Sequence, residues 1–202
     1  MKKLLAVFCL CTVASSAFAQ GLINFFNNAN TVVSTGYVPA TASPITGSVG
    51  SWYFALLTSP VAQHNFTFSG VYGTNQSVAG RFFGGASVQM AGWAPGTTRD
   101  FEVAGWSSDL GPTFNPSWLT NSPCPGFFGV SAIGTGQAGG FNGTGTLPSL
   151  NIFGGASGIQ SGFVLTGKIP ESTPEPSATT LVIAGIGAML SFRRSVLFKP
   201  QV

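Results

Sequence analysis

Breakers set the terms for this chain. Between residues 20 and 173, glycine, serine, threonine, asparagine and proline recur every few positions, within a total of 28 glycines and 13 prolines. Glycine interrupts a helix through backbone entropy, and proline through its fixed φ and missing donor. No stretch of the body holds a long apolar period of 3.6 residues. Short apolar and aromatic runs between turn residues remain, and these read as strands at 22–26, 52–57, 65–69, 80–88, 100–106, 127–133, 150–153 and 162–168. With no helix to make crossovers, the expected fold is all-β, a single antiparallel domain of β-sandwich or jelly-roll type.

The clearest strand is Asp100-Phe101-Glu102-Val103-Ala104-Gly105-Trp106. Alternation puts Phe101 and Val103 on one face and Asp100, Glu102, Ala104 and Trp106 on the other. The stretch before it, Ala94-Pro95-Gly96-Thr97-Thr98, has proline and glycine placed for a turn. Asp109-Leu110-Gly111-Pro112 makes a second turn after it. Ala91-Gly92-Trp93 returns as Ala104-Gly105-Trp106, but in so glycine-rich a chain short matches are cheap and are not read as repeats.

Both ends differ in kind from the body. Lys2-Lys3, the apolar run from Leu4 to Ala14, and Ala17-Phe18-Ala19 form the three regions of a cleavable signal helix, residues 1–19, with Gln20 as the first mature residue. Cys9 and Cys11 leave with it. At the other end, Pro174-Glu175-Pro176 holds the chain extended. An uncharged segment at about 177–192 follows, then Arg193-Arg194. This segment is a little shorter than the roughly 20 residues that span a bilayer comfortably, and the two arginines can snorkel. It is expected to be a single transmembrane helix with its C-terminal side in the cytoplasm.

The order Pro-Glu-Pro, hydrophobic segment, arginine cluster resembles the PEP-CTERM sorting signal of Gram-negative bacteria. The resemblance covers residues 174–194, with a short extension to Val202 beyond the usual stop. It implies recognition by an exosortase, a membrane-embedded protease-transpeptidase, with removal of the tail during export. Signal peptidase and the general secretion machinery are the other implied partners. Family members are often associated with extracellular polysaccharide, which is a further expected partner. The body also resembles a group of secreted proteins carrying the same tail, through Gly21-Leu22-Ile23-Asn24-Phe25, Trp52-Tyr53-Phe54-Ala55-Leu56-Leu57 and the run from Gly158 to Leu165. That likeness implies one exported domain and brings no activity with it. The division expected is signal peptide 1–19, secreted domain 20–173 and sorting tail 174–202, in a protein bound for the cell surface, envelope or extracellular matrix.

Removing the ends changes the charge. In residues 20–173, Arg81, Arg99 and Lys168 stand against Asp100, Glu102, Asp109 and Glu171, a net of −1 where the whole chain carries +3. No basic patch is left, and nucleic acid is not an expected partner. Cys124 is the one remaining thiol, so no internal disulfide framework exists. It sits in Ser122-Pro123-Cys124-Pro125-Gly126, a turn from which it is a candidate for an intermolecular disulfide.

The search for catalysis is thin. Asp100 and Glu102 lie about 7 Å apart by strand rise, near the spacing of a glycoside hydrolase pair. Arg99 adjoins them, and two acids on a solvated strand edge are the plainer reading. His64, the single histidine, reads as a surface-loop residue, and no G-x-S-x-G elbow is present. One histidine, one mature thiol and few carboxylates assemble no transition-metal cluster, and no cofactor is expected. Gly84-Gly85 and Gly139-Gly140 lack the lysine and helix of a phosphate loop.

The aromatics are the remaining signal: Trp52, Tyr53, Trp93, Trp106, Trp118 and many phenylalanines. If the face of Asp100 and Glu102 is solvated, Trp106 is a candidate platform for a sugar ring, with the acids as its hydrogen-bonding edge. The alternative is that the rings pack inside. The expected function is a non-enzymatic structural or adhesive surface protein. A carbohydrate-binding module is the alternative, and a secreted glycoside hydrolase the more distant one.

Overall fold

A computed structural model describes residues 20–37, 41–121, 123 and 125–168. The residues proposed as signal peptide and sorting tail, including Ala17, Ala19, Pro174, Glu175, Pro176, Arg193 and Arg194, lie outside the described residues. So do the apolar segment at 177–192 and Cys124.

The described chain is all-β. Its thirteen strands are β1 (Gly21–Phe26), β2 (Ser34–Gly36), β3 (Ser43–Pro44), β4 (Trp52–Ser59), β5 (Thr67–Asn75), β6 (Phe82–Met90) and β7 (Thr98–Ser107). After two short 3-10 turns come β8 (Gly126–Val130), β9 (Gly134–Gln137), β10 (Gly140–Phe141), β11 (Thr146–Leu147), β12 (Leu150–Asn151) and β13 (Val164–Lys168). All eight sequence-predicted runs overlap a strand. No helix among the described residues is long and apolar enough to cross a membrane.

Eleven strands join in one curled sheet, in the order β12-β1-β6-β5-β4-β7-β8-β13-β2-β3, with β9 pairing β7 to one side. Strands β10 and β11 form a separate small ladder. This replaces the expected stack of two antiparallel sheets. The middle is antiparallel as expected, and β4 and β7 run in register over eight pairs from Trp52↔Ser107 to Ser59↔Asp100. Two pairs are parallel, β1 with β12 and β13 with β2. The expectation failed because it assumed that parallel strands need an adjoining helical crossover. Here the crossover is the rest of the sheet: the chain lays down its antiparallel middle and then returns to strands formed much earlier.

The two faces of the sheet are both covered. The larger cluster takes Ile23 and Phe25 from β1, Phe54 and Leu56 from β4, Phe82 and Met90 from β6, and Phe101 and Val103 from β7, with Ile152, Phe153, Ile159 and Phe163 closing over them. Phe82 is its hub. The ring stacks on Phe54 at 4.3 Å between centroids and meets Phe25 and Phe153 edge-on at 5.2 and 5.6 Å. Each such ring contributes about 1.5–3 kcal/mol by leaving water. Gly84 in β6 makes this packing possible, since a Cβ there would collide with the Phe25 ring and the Tyr72 carbonyl. The second cluster, on the opposite face, centres on Trp106.

Three asparagines and a serine satisfy backbone where the strands part. Asn27 is fully buried, donates to the carbonyls of Thr31 and Gly80 and accepts the Phe82 N–H. Asn75 accepts the N–H groups of Gly50 and Trp52 and donates to the carbonyl of Ser48. Asn24 accepts the Ser87 N–H at 2.9 Å and donates to the Asn151 side chain across the β1–β12 pair at 2.8 Å. Ser131 accepts the Val103 N–H and donates to the Ala132 carbonyl. No buried side-chain nitrogen or oxygen lacks a partner among the described residues.

Candidate functional site

The face of β7 that carries Asp100, Glu102, Ala104 and Trp106 is not a solvated face. Trp106 has no exposed surface. Its ring is enclosed by Tyr53, Tyr72, Phe114 and Trp118 at 6.0, 6.2, 5.9 and 5.7 Å between centroids. The indole N–H donates to the Gly111 carbonyl at 2.8 Å, so the polar edge is used as well. A buried ring offers no face to a sugar, and the expectation of a Trp106 platform is corrected. The reason is long-range: Phe68 and Tyr72 come from β5, and Phe114 and Trp118 from the segment before β8, to roof a strand they do not adjoin in sequence. The Tyr72 hydroxyl, accepting the Phe114 N–H at 3.1 Å, pins that roof.

Trp93 is buried in the main cluster and donates to the Thr97 carbonyl. Trp52 is half-buried and donates to the Thr46 carbonyl. Asp109 is exposed in the 3-10 turn Ser108–Leu110 that follows β7. Asn115 accepts the Ser117 N–H as the cap of the next turn. No three histidine, cysteine, aspartate or glutamate side chains gather as a metal site among the described residues. Gly84 lies within β6, and Gly139 forms an isolated bridge to Leu22 through two backbone hydrogen bonds.

At the end of the Trp106 face the roof stops, and Glu102 and Asp100 follow. The two acids are used in opposite ways. Asp100, opposite Ser59 on β4 and Thr135 on β9, is only 3 % exposed. Its carboxylate accepts the Thr135 hydroxyl at 2.6 Å and the Ala62 N–H at 2.7 Å. The Thr135 hydrogen bond, joined by the Ala62 N–H and the nearby His64, outweighs burial and holds the carboxyl below the ordinary aspartate range. The clamped loop is strained: Ala62 and His64 both take left-handed backbone, at φ 63° and 53°. Such residues cost about 1–3 kcal/mol each and persist only where their surroundings hold them. Asp100 is that hold.

Glu102, two residues on and opposite Leu57, is half-buried with no hydrogen bond to its carboxyl among the described residues. Burial alone raises it from 4.5 to about 7. It opens into a groove of about 500 Å³. His64, Asn65, Phe66 and Thr67 form one wall, leading from the clamped loop into β5, and Leu119 and Val130 form the other. His64 is exposed, as a loop histidine should be, and its ring tilts against Phe66 at 6.3 Å.

The sequence named Asp100 and Glu102 together and His64 apart from them, and the fold brings the histidine to the acids. It did not name Thr135, Phe66 or Leu119, which reach the site from strands and turns with no local mark of their own. Of the two carboxylates, Asp100 is engaged by Thr135 and Ala62, and Glu102 alone gives onto the groove. Arg99, expected beside them, points its guanidinium to the Gly92 carbonyl at 2.8 Å. No family model, no curated protein and no solved structure matches the chain.

Proposed function

We propose that this chain is an exported component of the cell envelope or extracellular matrix, sorted by its PEP-CTERM-like tail through an exosortase, and that it acts there as a structural or adhesive protein. The observation that carries the non-enzymatic part is the fate of Asp100. Hydrolysis of a glycosidic bond uses two carboxyl groups that both reach the substrate. Asp100, saturated by Thr135 and Ala62 and sealed from solvent, has nothing left to offer one. The near-neutral body, with its aromatic rings packed on both sheet faces, supports a durable scaffold.

The test is mass spectrometry of the protein recovered from the envelope and medium of a Gram-negative host that carries an exosortase. The expected product begins at Gln20 and has lost the segment after Pro176. An exported protein with an intact tail to Val202 overturns the sorting reading.

One observation favours carbohydrate binding as the form that adhesion takes. The platform read from the sequence is buried, but the Glu102 groove gathers a carboxyl, an imidazole, an amide, a hydroxyl and a phenyl ring in one open trough.

A further inference from the structure

We propose that the groove between the clamped loop and Glu102 binds a short run of neutral sugar rings, with Glu102 as the hydrogen-bonding residue at its floor and Phe66 as its apolar contact. The inference rests on the adhesive reading and gives it a place and a ligand class.

Three independent observations meet there. The first is the open carboxyl: Glu102 is half-buried and meets no donor among the described residues, and its carboxyl gives onto the groove, where a ligand can reach it. The second is the loop. Two non-glycine residues in left-handed backbone, Ala62 and His64 on either side of Gln63, held by an anchored buried carboxylate, fix His64 and the start of β5 as a preformed wall. A wall fixed before binding loses little entropy on binding. The third is the lining. Hydroxyl, amide and imidazole groups beside one phenyl ring match a ligand with hydroxyls on its edges and C–H groups on its faces.

The charge of the groove narrows the class further. Lysine and arginine are missing from its described walls, so nothing there answers a phosphate or a uronate. The titratable groups facing Glu102 are His64, from the loop before β5, and Asp100, from its own strand. The strands and turn packed around it present Leu57, Val130 and Leu119. With its carboxyl protonated, Glu102 both donates to and accepts from sugar hydroxyls at no cost in charge burial. Ionised, it must shed water under the ligand with no cation to answer it. Binding is therefore strongest below about pH 7 and weakens above it.

Titration calorimetry on the full chain in mild detergent tests this, with neutral hexasaccharides of glucose in β-1,4, β-1,3 and α-1,4 linkage and an oligogalacturonate as the acidic probe. At pH 5.5 at least one neutral hexasaccharide binds saturably, and its affinity falls about tenfold or more by pH 8.5. Glu102→Gln, a permanently neutral carboxamide, binds alike at both pH values. His64→Asn, which accepts left-handed backbone readily, keeps the pH dependence, and this separates Glu102 from the histidine. Phe66→Ala loses most of the affinity while near-ultraviolet circular dichroism stays native.

Tightening with rising pH, or preference for the oligogalacturonate, overturns the proposal. Saturable binding that Glu102→Gln and Phe66→Ala leave unchanged moves the site elsewhere, overturning the groove assignment while the adhesive reading stands. Absence of binding to every saccharide by a natively folded protein overturns the groove assignment too. The adhesive reading then falls only if the exported protein also fails to sediment with cell-surface polymer.

Discussion

The two faces of β7 are made by alternate residues of the same ten-residue strand, and they end differently. On one, Phe101 and Val103 sit in a cluster that is apolar from end to end, and nothing about it suggests a ligand. On the other the environment is graded along the strand: Trp106 and Ala104 are sealed, Glu102 is half-buried and unmatched, and Asp100 is sealed again but fully hydrogen-bonded. An aromatic roof that covers only part of a sheet face creates a margin. At that margin two chemically similar acids acquire opposite properties, because one receives donors and the other receives only desolvation.

Breaking the first face should have the largest effect. Phe82→Ala removes the ring that touches Phe54, Phe25 and Phe153, and is expected to cost about 3–5 kcal/mol in urea unfolding. A loss below about 1 kcal/mol would mean that the cluster repacks and is not the molecule's main support.

The second face is probed through its acids. Asp100→Asn removes the charge and leaves one acceptor oxygen, for the Ala62 N–H, so the Thr135 hydroxyl must turn from donor to acceptor, and the change is expected to cost about 1–3 kcal/mol at pH 7. The depressed carboxyl contributes stability above the ordinary aspartate value of 3.8, and that contribution is lost as pH falls through the folded-state value. The deficit of the variant should therefore shrink toward pH 2. Limited proteolysis should show new cutting between Pro60 and Asn65. A variant equally destabilised at pH 7 and pH 2 would remove the carboxylate from the account.

The smallest change sharpens the contrast. Glu102 has its carboxyl raised, so the native state holds a proton that the unfolded chain has released between pH 4.5 and about 7. Stability from this residue falls as pH rises through that window, the reverse of Asp100. Glu102→Gln removes the fall. It should be neutral near pH 4 and modestly stabilising at pH 8, read from thermal melts at the two pH values. A destabilising Glu102→Gln at pH 8 would show that the ionised carboxylate is held by a partner after all.

The strands were legible because a run such as 100–106 carries its period of two and its flanking turns in the local sequence, and the faces of Phe101 and Val103 followed. The roof was not. Ala91-Gly92-Trp93 and Ala104-Gly105-Trp106 are identical triplets, yet Trp93 packs in one cluster and Trp106 in the other, because the partners of each ring are set by pairings far along the chain. Polar neighbours Asp100 and Glu102 suggested a wet face for Trp106, but a strand face can change environment within two residues. Strands of two or three residues, such as β2 and β12, show no period at all and exist because a longer neighbour, β13 or β1, offers them an edge. Of the site, the sequence exposed the titratable residues and concealed the grouping, which depends on the β4–β7 and β7–β9 registers.

The parallel pair of β1 and β12 bears on how the molecule comes into being. Asn24 and Asn151, bonded across that pair, are 127 residues apart in sequence, and β2 waits in the same way for β13. Contacts of such separation form late and slowly, since the loop between them must be ordered first. A growing chain cannot complete its sheet until the C-terminal strands have been made, so the two edges opened by β1 and β2 stay vacant throughout synthesis. Late closure works as a timer: the sheet stays open at both edges until its final strands arrive.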